Sequence, residues 1–248
     1  MPSFPDHFSA SAARYASYRP SYPPDLFGWL AKTTGERERA WDCGTGSGQA
    51  AIALAAHFNE VVATDASHSQ LTHAVRAERV HYAAMTAEDS ALASRSVHLI
   101  TVAQALHWFD LSRFYPEARR VLAPGGTLAV WSYGLLSISP EIDVLVNSFY
   151  RETLGGYWPP ERARVDAGYA ALPFPFTELV APNFHMTRNW TLAQLMGYLD
   201  TWSAVSEYRK RNGASPVGRF VAELEPTWGD NATLRRVTWP LELRVGTS

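Results

Sequence analysis

The run Trp41-Asp42-Cys43-Gly44-Thr45-Gly46-Ser47-Gly48-Gln49 constrains this chain more than any other stretch. Apolar residues lead into it, alternating glycines form it, and a helix-favouring segment from Ala50 to Ala56 leaves it. That order describes a strand turning at once into a helix, with bare backbone free to take positive dihedrals and press against a ligand. The rest of the first half agrees. Apolar runs near 39–43, 60–65, 79–84, 97–103 and 126–133 read as buried strands, with helical spacing near 47–57, 67–77 and 111–122. Such alternation implies right-handed crossovers and a parallel sheet. Ala123-Pro124-Gly125-Gly126 is the turn into the fifth strand, where proline presets the bend and glycine allows the reversal.

Beyond residue 133 the pattern changes. A helix is expected over 140–154, then a Gly/Pro-rich stretch through 155–160 and a strand over 177–190. Helices over 191–211 and 216–228 precede a last strand over 234–245, where Pro240 argues for an edge or a bulge. Before the first core strand, Phe8, Ala12, Tyr15 and Arg19 recur at helical spacing, which predicts an N-terminal helical lid.

The glycine turn discriminates between ligands. A dinucleotide fingerprint needs its third glycine where Gln49 stands, and no Gly-Lys-Ser/Thr follows to cradle phosphates. A carboxylate at Asp42 repels a pyrophosphate but suits a ligand bearing an ammonium group. At ~4 Å and an effective dielectric of ~20, one such pair is worth roughly 4 kcal/mol before desolvation. S-adenosylmethionine (SAM) has an α-ammonium, a sulfonium and no phosphate, so the sign of the charge favours it. Asp65, ending the next strand, stands where a carboxylate commonly accepts ribose hydroxyls; it could equally cap the helix opening at Ser67.

The order Asp42-x-Gly44-x-Gly46-x-Gly48, Asp65, Thr86-Ala87-Glu88-Asp89, Val102 to Phe109 and Glu117 to Gly126 resembles class I SAM-dependent methyltransferases across roughly residues 38–133. The opening Phe8-Ser9-x-x-Ala12-x-x-Tyr15-x-x-Tyr18-Arg19-Pro20-x-Tyr22-Pro23 resembles the subgroup of trans-aconitate methyltransferase-like proteins. The resemblance implies an α/β fold with a doubly wound, mostly parallel seven-stranded sheet. It implies a lid over residues 1–35, a catalytic domain over 36–248 and a helical cap insertion near 140–230. The last two strands would form a reversed edge hairpin.

Site roles follow from these readings. Asp42, Gly44, Thr45 and Gly46 would hold the amino-acid end of SAM, Asp65 the ribose, Ala87 and Glu88 the adenine, and Gln104 the donor's central region. His107 is the candidate general base, its ordinary pKa lying near physiological pH; the alternative is that it orients substrate or caps the next helix. Arg19, flanked by Tyr15, Tyr18 and Tyr22, could grip a carboxylate with two parallel hydrogen bonds. Trp108 and Trp202 are candidate walls of the acceptor site. Nine tryptophans and eleven tyrosines supply core and pocket walls alike.

Composition narrows the function further. A net charge of −2 and a pI near 6.4 speak against nucleic acid, so paired arginines such as Arg119-Arg120 and Arg235-Arg236 read as solvated faces. The single cysteine, Cys43, rules out an internal disulfide, and the scattered histidines (His68 and His73 among them) predict no metal. No secretory profile and no long apolar run is visible, so a cytoplasmic enzyme acting on a small molecule is expected, with a carboxylate as a candidate acceptor. Two rivals stand beside it: a catalytically silent SAM-binding protein, and another nucleotide-cofactor enzyme on a similar fold. Oligomeric state is not legible.

Overall fold

In a computed structural model, Tyr18 and residues 20–248 are described. Strand burial sets the architecture. β1 (Arg39–Cys43) and β4 (Val97–Ala103) are buried along almost their whole length, whereas β3 (Val80–Ala84) is buried only at Val80. Strands covered on both faces belong at the centre of a parallel sheet, and a half-exposed one belongs at its edge. The order is β3-β2-β1-β4-β5-β8-β6, with β2 at Glu60–Asp65, β5 at Leu122–Tyr133, β6 at Thr177–Leu179 and β8 at Arg235–Thr247. β1 to β5 pair in parallel, and β8 runs antiparallel to β5.

Residues alternate between two cores along the strands. From β5, Ala129, Trp131 and Tyr133 enter one core, while Leu128 and Val130 enter the other. The first core is closed by α1 (Pro24–Thr34), which buries Leu26, Phe27, Leu30 and Ala31, and by α2 (Gln49–Leu54). Burying a side chain such as Phe27 contributes about 1.5–3 kcal/mol. The second core is closed by α4 (Leu111–Val121), which is capped at its start by Asp110 and follows the short α3 (His68–Thr72) in chain order. The expected lid over 1–35 is therefore divided. Its 24–34 part is a core helix, and Tyr15 and Arg19 lie outside the described residues.

Two segments form the cap. α5 (Pro140–Ser148), a π-turn (Phe149–Thr153), a 3₁₀ turn (Gly155–Tyr157) and α6 (Arg162–Asp166) connect β5 to β6. Then α7 (Leu192–Leu199), α8 (Ser203–Asn212) and α9 (Val217–Trp228) connect β7 (His185–Trp190) to β8. Stacked and edge-on rings join the segments, including Phe149 with Phe220 at 4.2 Å and Trp202 with Tyr150 at 5.8 Å.

Three local expectations change. The strand expected over 177–190 is two, β6 and β7 (His185–Trp190), each antiparallel to β8, because the intervening Pro182 has no amide to donate. The 123–126 turn sits inside β5 as a bulge, opposite the register shift between Val97 and Leu99. Pro240 stands where the β7 ladder ends, one residue before the β5 ladder begins at Leu241. Among the described residues, no helix is long and apolar enough to cross a membrane.

The paired arginines lie on exposed or half-exposed faces, as expected, and three of the four also bond to the protein. Arg120 donates to Glu117 and to the Leu92 carbonyl, Arg119 to the Pro175 carbonyl, and Arg235 to the Trp228 carbonyl. Glu117 also accepts from the amide and hydroxyl of Ser90 at 2.8 and 2.6 Å. The Arg120 guanidinium, hydrogen-bonded to Glu117, holds that carboxyl down at about 2. This network fastens the 85–96 connection to α4.

Candidate active site

Strand order reverses between β1 and β4, and ligands of open α/β sheets bind outside the carboxyl ends of the strands at such a point. There the chain turns at Gly44, Gly46 and Gly48, all with positive φ. The amides of Gly44 and Thr45 both donate to the Thr64 carbonyl of β2, at 2.8 and 2.9 Å. Side chains are excluded at two of the glycines. A Cβ on Gly44 would lie 2.5 Å from Ala105, and one on Gly48 would fall on the Tyr82 hydroxyl. Gly46 faces open space, the nearest atom to a Cβ there being Gln70 Oε1 at 4.0 Å.

Asp65 ends β2 and holds this turn. Its Oδ2 accepts the Gly46 amide at 2.9 Å and its Oδ1 the Ser67 amide at 2.8 Å. Burial pushes its carboxyl above the ordinary 3.8. The helix cap that competed for Asp65 is supplied by Ser67, whose hydroxyl accepts the Gln70 amide. Asp65 itself stays half-buried.

Asp42 and Thr45 differ from their expected place at the ligand face. Asp42 has 0% exposure, and its two oxygens accept the hydroxyls of Thr45 and Thr101 at 2.5 and 2.7 Å. Thr45 spends both hydroxyl and amide on the protein. The pair braces the glycine turn from beneath, and the Asp42 charge reaches a ligand only through space. Burial raises its carboxyl to about 6, against the hydroxyl bonds that favour the charge.

Gln104 has φ 56°, a conformation that costs a non-glycine residue energy and concentrates at functional sites. Its amide donates to the Trp131 carbonyl and its side chain to the Tyr133 carbonyl, both at 2.9 Å. The ends of β4 and β5 are thereby locked together. Glu88 tips the tight turn bridged by Thr86 and Asp89, and its carboxylate accepts the Asp110 amide at 2.9 Å. Ala87 is buried beside it at 6% exposure.

His107 does not fit the role of general base. It is 8% exposed, and its Nδ1 lies 2.8 Å from the Tyr169 hydroxyl. Burial, aided by the positive charges of Arg162 and Arg164, lowers its pKa to about 3. An imidazole held there stays neutral and is a feeble proton acceptor. Its Tyr169 contact braces the loop, and Trp108 packs on it at 4.8 Å.

Tyr18 packs on α7, since a Cβ on Gly197 would fall on its ring. Trp202 is 7% exposed in the cap's aromatic cluster, with Tyr150, Trp158 and Tyr198 rings within 5.5–5.9 Å. Packing already uses most of the surface of both. The sequence reading missed Tyr150, Arg162, Arg164 and Tyr169. Arg164 donates to the His107 carbonyl at 3.0 Å and so ties the cap to the loop after β4. The aromatic and arginine-bearing run Tyr157-Trp158-Pro159-Pro160-Glu161-Arg162 was the available signal.

Fold and site together define an enzyme that binds a nucleoside cofactor at the end of a doubly wound sheet. A family model described as a methyltransferase domain matches residues 41–130. A Dictyostelium discoideum protein named as a methyltransferase is 36% identical over 84% of this chain and 80% of its own length. A Saccharomyces cerevisiae protein named as a SAM-dependent methyltransferase is 31% identical over 52% of this chain and 46% of its own. A solved structure described as a type II methyltransferase from Anaeromyxobacter dehalogenans superposes with TM-score 0.88 at 45% identity, covering 92% of this chain and 97% of that one. The chain belongs to the class I SAM-dependent methyltransferases, and SAM is its cofactor.

Proposed function

We propose that this methyltransferase acts on a small organic acceptor held between the loop after β4 and the aromatic cap. The observation that carries this reading is the Arg164–His107 tie, which brings the cap segment over the end of β4. In this reading a cap fixed there admits a small molecule and obstructs a polymer. The absence of a basic balance in the chain, at net charge −2, supports the same reading over nucleic acid. In this reading residues 36–248 form the catalytic domain and residues near 140–230 its cap.

The residues present fit the cofactor. Gly46 has the open face that a close-lying ligand needs, and the turn carries carboxylates where a phosphate ligand would want cations. In this reading Asp65 accepts the ribose hydroxyls, the Ala87–Glu88 turn borders the adenine, and the Gly44 and Gly46 backbone borders the amino-acid end. When bound, SAM supplies an electrophilic methyl group whose leaving partner is a neutral thioether. The protein's own share is alignment and exclusion of water. Gln104 keeps the β4 and β5 ends rigid, while His107 and Trp108 wall the side from which the acceptor enters. No protein base is required where the acceptor is already an anion.

A carboxylate acceptor remains the finer form of this proposal. Its first support, the trans-aconitate-like opening with Tyr15 and Arg19, lies outside the described residues. The test is incubation with methyl-labelled SAM and a fractionated metabolite extract. Label in a small-molecule fraction is expected. Label found only in protein or nucleic acid would overturn the assignment.

A further inference from the structure

We propose that Arg162 is the anion-binding end of the acceptor site, walled by Tyr150, Trp158 and Trp202, and takes a carboxylate borne on a flat apolar body. The inference rests on the methyl-transfer reading above and adds a recognition group at a position the sequence reading did not reach. Arg162 Nε donates to the Tyr150 hydroxyl at 2.7 Å and to Asp166 at 3.0 Å. Neither Nη atom has a hydrogen bond or ion pair among the described residues. The side chain is nonetheless only 23% exposed, with its guanidinium carbon 5.4 Å from the Tyr150 ring centre and 5.0 Å from that of Trp158.

This combination is unlike a surface ion pair. The flanking rings remove part of the guanidinium's hydration, while its two Nη groups stay open to solvent and available to an incoming anion. The edge left open is the one that grips two carboxylate oxygens in parallel. Because Nε and both ring contacts already fix the group, little conformational freedom remains to be lost on binding. The rings beside it favour a flat, apolar body attached to the anion.

A second observation points to the same place. Tyr150 lies in the π-turn Phe149–Thr153, and turns of this kind recur at functional sites. That turn delivers the Tyr150 hydroxyl to Asp166 at 2.8 Å while it accepts from Arg162. Arg164, two residues on, is bound to the His107 carbonyl, so the open edge of Arg162 belongs to the cap segment tied to the end of β4. Asp166 offsets one positive charge and Arg164 adds a second, leaving the cluster cationic.

Sodium benzoate and neutral benzamide serve as probes, titrated calorimetrically into the whole protein with and without S-adenosylhomocysteine. Wild type is expected to prefer benzoate by about 10-fold. Arg162→Gln should abolish the preference while S-adenosylhomocysteine affinity stays within about 2-fold. Asp166→Asn, which releases the guanidinium from its own carboxylate, should tighten benzoate by about 3-fold or more, an effect that loss of a merely structural contact would not give. Equal binding of the two probes, a preference that survives Arg162→Gln, or no gain in Asp166→Asn would overturn the proposal. Should Arg162→Gln not fold, Asp166→Asn decides. Failure of wild type to bind S-adenosylhomocysteine would count against the methyl-transfer reading alone, since benzoate is also measured without it.

Discussion

The carboxylate of Asp65 accepts the Gly46 amide at 2.9 Å, so the residue ending β2 fixes the open part of the glycine turn that follows β1. One side chain therefore shapes the cradle, and in the proposed function it also meets the ribose. Replacing it by alanine removes an acceptor from two amides as well as the proposed ribose partner. Asp65→Ala should weaken S-adenosylhomocysteine binding by about 10- to 100-fold, matching the roughly 1.5–3 kcal/mol of hydrogen bonds to a charged group. Calorimetric titration measures it, and an unchanged affinity would remove the proposed contact.

Asp42 makes stability depend on pH in an unusual direction. Its carboxyl is raised by burial from 3.8 to about 6, so the folded state holds this proton more tightly than the unfolded chain. Its contribution therefore favours folding below pH 4 and falls away as pH rises to about 6, by up to roughly 3 kcal/mol. Denaturant titrations at pH 4, 5, 6 and 7 should show this fall in wild type relative to Asp42→Asn. Parallel curves would contradict it.

His107 contributes with the opposite sign. Its pKa is lowered from 6.5 to about 3, so the unfolded chain binds the proton first as pH falls. Stability from keeping it neutral is present above pH 6.5 and is lost toward pH 3, by roughly a few kcal/mol. His107→Gln should flatten that part of the curve and leave the shape of the pH–rate profile unchanged. Loss of a rate limb with a drop of about 100-fold in kcat would restore the general-base reading.

Gly48 combines a φ of 88° with a Cβ position occupied by the Tyr82 hydroxyl. Gly48→Ala should cost more than about 1 kcal/mol, since both backbone strain and overlap oppose it. Thermal unfolding tests this. Tyr82→Phe in the same background should recover part of the loss, because the overlapping atom is removed while the strain stays.

The sheet was legible because each central strand is a continuous apolar run and each turn carries its own glycine or proline. The strand-end positions of Asp65 and Gln104 were legible because a strand's carboxyl end can be located from the run that precedes it. Asp42 was placed correctly in sequence but not in depth, since nothing local reveals that Thr101, from β4, will close over it. The environment of His107 is set by Tyr169, Arg162 and Arg164, partners more than fifty residues away that only the folded cap brings near. The split of the last edge strand was within reach, for Pro182 stands in the gap.

The crevice between the glycine turn and the cap is the centre of this account, and a crystal structure with S-adenosylhomocysteine tests it most directly. The ribose hydroxyls should lie within hydrogen-bond distance of Asp65, with the thioether sulfur near Gln104 and turned toward His107 and Arg162. A nucleoside bound elsewhere on the sheet, or a sulfur facing away from the cap, would contradict it.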